Sequence, residues 1–507
     1  MRSSLAMAAL LLWGNSRLLS LAVLFSIAFS GCKVGPNYRF PAPTMPEKYS
    51  EGGRRKTTAA ADDQLVNWWA IFCDPFLDQL LQQTLSASFD YRIALERICQ
   101  ARATYRMQYA QIWPEIDSDF QATRFHSSNA VVSAAAPATG ATTATKGLAT
   151  PSLTQNFFQL GFDAVWELDI FGGLRRAAQA AYDTWQATDE QARAVKISLL
   201  SEVASIYVNI CALQKKIALA IHLVQLDEKL LRLSLSLVEA GLADELQLEA
   251  VRAAMQADQA SLTALETSCK QAIYSLAVLV GEPPEMLVER FRIARPIPAA
   301  SGKIPAGLPA DLLRRRPDIK SAERLLAAST EQIGVAVAAL FPQLSLTGSG
   351  GSFASNPLQG ANIGYASDSW SKLFSPQARL WGFGGFITWP AFDFGKRSAA
   401  VDVQVSMRNQ AYLSYQKTII TALQEVEQAL YGYFNEEKRV QQLVDEAHAN
   451  KKSLDLTTSL YQAGLTDYSQ LLQREQVWLN SINTLTDSEQ ALSTQLIATY
   501  KALGGDW

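Results

Sequence analysis

The sequence predicts an α+β membrane protein in which one unit, a pair of strands followed by a long antiparallel helical hairpin, occurs twice. Three observations carry this: an internal duplication, segments of period-two alternation rich in aromatics, and two stretches of 67 residues without proline, far longer than a globular helix.

The duplication is ungapped over its longer part. A separation of 223 residues pairs Trp166 with Trp389, Phe171-Gly172 with Phe394-Gly395, Glu202-Val203 with Glu425-Val426, Ala240-Gly241-Leu242 with Ala463-Gly464-Leu465, Asp244 with Asp467, and Gly281 with Gly504. Upstream the separation is 228, pairing Asp90 with Asp318 and Trp113-Pro114 with Phe341-Pro342. The chain therefore divides into residues 76–282 and 311–507 as two repeats, with a Pro-rich linker at 283–310 and an extended N-terminal segment at 32–75.

Each repeat opens with a helical pattern, residues 76–112 and 311–340, that stops at Pro114 or Pro342 because proline cannot continue a helix. Strands follow. In one of them Phe158, Leu160, Phe162, Ala164, Trp166 and Leu168 alternate with largely polar residues, among them Gln159, Asp163 and Glu167. Its equivalent carries Trp381, Phe383, Ile387 and Trp389 on one parity. The incoming strands are Ile116 to Phe125 and Gln343 to Phe353, and loops of small residues, Ala130 to Thr150 and Ala354 to Lys372, join the members of each pair.

From Gly173 to Glu239, and again from Lys396 to Gln462, nothing interrupts a helix except Gly432. At about 1.5 Å per residue each would be roughly 100 Å long. A three-four rhythm of apolar residues (Val203, Ile206, Ile210, Leu213, Ile217, Ala220, Val224, Leu231), broken at Asp227, indicates coiled-coil packing. After Ala240-Gly241 or Ala463-Gly464 a second helix returns and ends at Gly281 or Gly504.

Composition bounds the rest. Residues 1–31 hold no acid and two arginines, Arg2 and Arg17, then the apolar run Leu18 to Phe29 and Ser30-Gly31 before Cys32, which is the pattern of an export signal. No later apolar run has the length of a spanning helix. Removing the two arginines leaves 43 of 45 bases against 48 acids, so a nucleic-acid partner is not expected. The five cysteines show no metal-type spacing, and the four besides Cys32 read as small buried thiols. The three histidines are scattered, and neither a metal site, a cofactor nor a catalytic constellation is expected. Asp393-Phe394-Gly395 matches the metal-binding triplet of kinases but lacks their catalytic loop.

Two-faced strands suit a bilayer, where only helices and closed barrels satisfy the backbone. Four strands per chain cannot close one, since small barrels need about eight. Three chains giving twelve strands, or two giving eight, would do so, with the hairpins bundled into a tube below the membrane. In that register Phe158, Leu160, Phe162, Trp166, Trp381, Phe383 and Trp389 face lipid, while Asp163, Glu167 and Ser345 face the lumen. The hairpin turns would gather at an aperture at the far end of that tube. Asp244, Glu245, Thr466, Asp467 and Tyr468 follow the turns, with Arg252 and Arg474 about two helical turns further on, and Asp244 and Asp467 are equally good N-caps.

The run Leu312-Leu313-Arg314-Arg315-Arg316-Pro317-Asp318-Ile319, continuing through Ala322-Glu323, Ile333-Gly334-Val335-Ala336 and Phe341-Pro342-Gln343-Leu344-Ser345-Leu346-Thr347-Gly348, closely resembles the signature of TolC-family outer-membrane efflux lipoproteins of RND systems. So do Cys32-Lys33-Val34-Gly35-Pro36-Asn37-Tyr38, Trp166-Glu167-Leu168-Asp169-Ile170-Phe171-Gly172, Phe392-Asp393-Phe394-Gly395 and the two Ala-Gly-Leu breaks. The resemblance implies a homotrimer with a 12-stranded barrel in the outer membrane, a helical tunnel in the periplasm, acylation at Cys32, and docking to a periplasmic adaptor and an inner-membrane RND-type pump. It also implies an exit duct for drugs or other small molecules whose resting tips are closed by polar links between neighbours, such as Asp467 with Arg252 or Asp244 with Arg474. Where the family often carries an acid near the second break, this chain has Gln473. A type I secretion channel would share the fold. A passive periplasmic scaffold lipoprotein would explain the helices but not the two-faced strands.

Overall fold

A computed structural model describes residues 33–43, 45–47, 49–50, 67–126, 154–242, 244–299, 309–355 and 370–505. Cys32, the signal segment and most of the two small-residue loops lie outside the described residues. The first repeat comprises helices α1 (Pro75–Ala87) and α2 (Phe89–Ala110), strands β1 (Glu115–His126) and β2 (Thr154–Leu168), and helices α3 (Gly173–Glu239) and α4 (Glu245–Val280). After a short helix α5 (Pro284–Arg290), the second repeat runs through α6 (Leu312–Arg315), α7 (Pro317–Ala338), β3 (Gln343–Ser355), β4 (Arg379–Thr388), α8 (Lys396–Gln462) and α9 (Tyr468–Ala502). Both α3 and α8 have 67 residues, with bounds that coincide under the duplication.

Met1–Arg39, Arg102–Asp183 and Ala327–Asn409 form one compact unit; Phe40–Ala101, Thr184–Leu326 and Gln410–Trp507 form the other. The first holds an antiparallel sheet in the order β1-β2-β3-β4, so β1 and β4 are its edges. Register decides which side chains share a face, because successive residues of a strand point to opposite sides. Ser118, Phe162, Gly350 and Trp381 stand opposite one another across the four strands. Asp117, Asp163, Ser349 and Gly382 form the adjacent row on the other face.

In the second unit, Leu77, Leu80 and Leu81 of α1, Leu200, Val203 and Ile210 of α3, and Leu276 and Val280 of α4 are fully buried. Asp74 caps α1 by accepting from Phe76 N and Leu77 N, and Tyr207 Oη donates to its other oxygen at 2.5 Å. Burial and that hydrogen bond push the Tyr207 phenol up. The guanidinium of Arg295 lies 3.8 Å from the centre of the Phe76 ring, which in turn meets Phe291 edge-on.

Four expectations need correction. The opening helices are each broken, at Ser88 and at Arg316, whose ψ angles of 130° and 119° are extended; Arg316 precedes Pro317, whose ring disfavours helical backbone in the residue before it. The Pro-rich linker contains α5, started by Pro284 at a position where proline's missing N–H costs nothing, and it buries Leu287 and Phe291. Only Cys211 and Cys269 are buried thiols; Cys73 and Cys99 are exposed. Finally, α3 contains a stretch long and apolar enough to cross a membrane by length and composition, more than half of it buried inside the protein.

Candidate functional site

The sheet segregates chemistry by face. With Phe162 and Trp381 lie Ile116, Phe120, Phe158, Leu160, Trp166, Leu346, Phe383 and Ile387, interrupted by Ser118, Arg124, Asn156, Ser352 and Arg379. On the opposite face lie Glu115, Asp117, Asp119, Gln121, Gln159, Asp163, Glu167, Ser345, Thr347 and Ser349, interrupted by Val165, Leu380 and Phe386. Gln159 Nε2 donates to Asp119 across two strands at 3.0 Å. Trp381 and Phe383 are 74% and 84% exposed and stack on each other, so no described residue covers the outer part of the apolar face. Trp370 packs edge-on against Phe120 and Phe158.

Trp389 lies one residue beyond the end of β4, so it marks a strand end and is not a rung of the sheet. Its indole N–H donates to Leu340 O at 3.2 Å, and the indole of Trp166 donates to Ile112 O at 2.9 Å. These two bonds are related by the same separations, 223 and 228, that relate the repeats. Each tryptophan thus ties a strand that leaves the sheet to the chain that enters it.

At the other functional region, both hairpin turns close by the same hydrogen bonds. Gly241 N reaches Val238 O and Leu242 N reaches Leu237 O at 2.8 Å; Gly464 N reaches Tyr461 O and Leu465 N reaches Leu460 O at 2.9 Å. This αL closure requires a positive φ, 69° at Gly241 and 72° at Gly464, which glycine adopts without strain. Beyond it, Asp244 accepts from Leu246 N and Asp467 from Gln470 N and Ser469 Oγ. Both aspartates are therefore caps in this chain, and the two donors hold the Asp467 carboxyl below the usual carboxylate range.

Around the turns Glu245, Arg252, Gln473 and Arg474 are exposed, Thr466 is half-buried, and Tyr468 packs against Tyr461 with ring centres 5.4 Å apart. Arg252 pairs with Glu249 of its own helix at 2.6 Å. Leu242 and Leu465 stand out into solvent at 77% and 74% exposure. A further pair of acids meets within the first hairpin, at a place that no motif marks. Asp227 of α3, 4% exposed, faces Asp258 of α4, and burial together with that carboxyl pushes Asp227 up to about 7.

A largely apolar and a largely polar sheet face, two edges without a partner strand among the described residues, and two long capped hairpins suit a class: subunits of outer-membrane channels. The chain belongs to the outer membrane efflux protein family, whose model matches residues 80–282 and 308–505, and is an outer-membrane channel component of an efflux pump. It is 30% identical over 497 residues to a probable efflux pump outer membrane protein, TtgC, of Pseudomonas putida, covering 97% of this chain and 96% of the relative. To the cation efflux system protein CusC of Escherichia coli it is 30% identical over 496 residues, covering 95% and 97%. Among solved structures it matches the outer-membrane channel OprN at 30% identity with a TM-score of 0.78, covering 94% of this chain and all of that one. The CmeC channel of Campylobacter jejuni, at 21% identity and a TM-score of 0.81, shares the fold.

Proposed function

We propose that three copies of this chain close one 12-stranded barrel in the outer membrane, and that their hairpins form a periplasmic duct docked to an adaptor and an inner-membrane RND-type pump. The open four-stranded sheet carries this reading. Its edges β1 and β4 have no partner strand among the described residues, and a bilayer does not tolerate unpaired strand edges. Pairing β1 of one copy with β4 of the next satisfies both. The apolar face then meets lipid and the row of Asp117, Asp163 and Ser349 lines the lumen. Acylation at Cys32 after removal of residues 1–31 would anchor the N-terminus, and residues 76–282 and 311–507 would each supply one strand pair and one hairpin. Similar proteins are described as antibiotic, cation and solvent efflux components, which suits a duct that passes what its pump delivers.

The test is single-channel conductance of the purified protein in planar bilayers. Discrete openings are expected, and a protein that assembles but conducts nothing would leave only a scaffold. Asp467→Ala and Arg252→Ala should each raise resting conductance modestly, because exposed links contribute about 0–1 kcal/mol apiece while full opening takes about 5.5 kcal/mol. Unchanged conductance in both variants and in the double variant would leave Asp467 as a helix cap.

The sheet register makes a second expectation. Leu160→Arg puts a charge on the apolar face and should cost roughly 2–4 kcal/mol near mid-bilayer, read as lost heat-resistant oligomer in membranes. Normal assembly of Leu160→Arg together with failure of Asp163→Leu would reverse the two faces.

A further inference from the structure

Arg176 lies in the first turn of α3, where a cation opposes the helix dipole, yet its side chain is only 1% exposed. All three of its guanidinium nitrogens are engaged. Nε donates to Val34 O at 3.1 Å, Nη2 to Gly35 O at 3.2 Å and Asn37 Oδ1 at 2.8 Å, and Nη1 pairs with the buried Glu331 carboxylate of α7 at 2.7 Å. The backbone N–H of Val34 reaches Phe171 O at 3.1 Å, and Phe171 stacks on Phe341 with ring centres 4.6 Å apart.

Two glycines make room for this arrangement. Gly35 has φ +84°, and a Cβ there would come 2.7 Å from the Cα of Gly334. A Cβ on Gly334 would come 2.7 Å from Arg176 Nε. A glycine inside α7 costs about 1 kcal/mol relative to alanine, so its presence follows from the guanidinium and the N-terminal segment that pass over it. The device is also absent from the duplication: the counterparts of Arg176 and Glu331 are Ala399 and Ala103, and that of Gly334 is Arg106. Nothing in the repeated fold requires it. What occurs once, as it does, is the N-terminus.

We infer that Arg176, oriented by Glu331, is a positioning residue that clamps Val34–Asn37 to the strand-bearing unit and so fixes where acyl chains on Cys32 enter the outer membrane relative to the sheet. Cys32 precedes Val34 by two residues, a reach of about 7 Å at full extension, so an anchor on it cannot roam. This rests on the reading that Cys32 is acylated. A buried ion pair is weak evidence for stability and better evidence for specifying one arrangement, here the path of the chain out of the membrane.

Gly35→Ala tests the clamp without touching the Arg176–Glu331 pair, and Arg176→Lys keeps the pair's charge but loses the fork that holds three acceptors. Full-length proteins would be followed by mass spectrometry of the N-terminus, hydrogen exchange at Val34, thermal midpoint of the trimer in detergent, and the trimer fraction in outer membranes. Both variants are expected to be acylated, to exchange Val34 at least tenfold faster, to lower the detergent midpoint by only a few degrees, and to give at least threefold less membrane trimer. Unchanged exchange would remove the clamp. Faster exchange with normal membrane trimer would show that the anchor's position is immaterial, and a midpoint that falls in parallel with the trimer fraction would make the segment merely structural. An unacylated N-terminus in the wild type would sink the lipid reading, and the inference with it, whatever the exchange at Val34.

Discussion

Arg316→Ala is expected to destabilise the protein by about 3 kcal/mol, near the low end of the range for removing one member of a buried ion pair. Arg316 is 7% exposed. It donates to both Asp318 oxygens, at 3.0 and 2.6 Å, to Glu425 at 2.7 Å and to the carbonyl of Ala502 at 3.0 Å. One side chain thus joins the start of the second repeat to α8 and to the end of α9, and a Cβ on Gly504 would lie 3.2 Å from its Cγ. The low end applies because Asp318 and Glu425 are 37% and 48% exposed and can be hydrated when the cation leaves, whereas the Ala502 carbonyl loses a donor outright. Thermal unfolding of the purified protein measures this. Arg316→Lys should recover only part of the loss, since one ammonium cannot reproduce the fork; a loss under about 1 kcal/mol for Arg316→Ala would mean that water replaces the guanidinium without penalty.

The same residue shows how far the sequence could be read. Gly241, Gly281, Gly464 and Gly504 punctuate helices at positive φ, and that local chemistry set the bounds of α3 and α8 residue for residue. The break between α1 and α2 has no such mark at Ser88-Phe89. It is written in the other copy, where Arg316-Pro317 occupies the equivalent positions, and carrying Pro317 back across the duplication would have placed it. Helix α5 was also visible in principle, since Pro284 followed by Glu285 is a start signal, but the surrounding prolines pointed to a linker. The exposure of Cys99 was hidden because α2 presents apolar residues, Phe89, Ile93 and Met107, outward as well.

Long-range polar contacts are a different matter. Arg176 meets partners 139 to 155 residues away, and nothing in its neighbourhood distinguishes it from the adjacent Arg175, which pairs locally with Asp169 at 3.1 Å. Sequence spacing carries no information about such a pairing. Gly35 and Gly334, which admit it, stand within motifs of the sequence, but the reason for each lies in neighbours that only the fold brings close.

Asp227 lies between these cases. It interrupts the apolar rhythm of α3, and Asp258 sits about as far beyond the Gly241-Leu242 turn as Asp227 lies before it, so an antiparallel hairpin brings the two together. Two carboxylates cannot hydrogen-bond to each other, but a carboxylic acid and a carboxylate can, and Asp227 Oδ2 is buried without a donor. Burial and Asp258 raise Asp227 from 3.8 to about 7. The sign follows: below about pH 4 both folded and unfolded chains hold the proton and the site carries no penalty. As pH rises from about 4 to about 7 the unfolded chain releases its proton first, so the folded state loses stability, by up to about 1.4 kcal/mol per pH unit, and above about 7 the loss is complete. At the equivalent positions the second hairpin carries Asn450 and Ser481, which do not titrate. Asp227→Asn gives Asp258 a neutral donor in place of the shared proton. Thermal midpoints of wild type and Asp227→Asn at pH 5, 6, 7 and 8 should therefore diverge, with the variant gaining on the wild type by a few kcal/mol per chain as pH rises; Asp258→Asn, which leaves Asp227 buried, should gain less. Midpoints that run parallel across that range would show the two carboxyls to be separately hydrated, and the first hairpin to be as indifferent to pH at this level as the second.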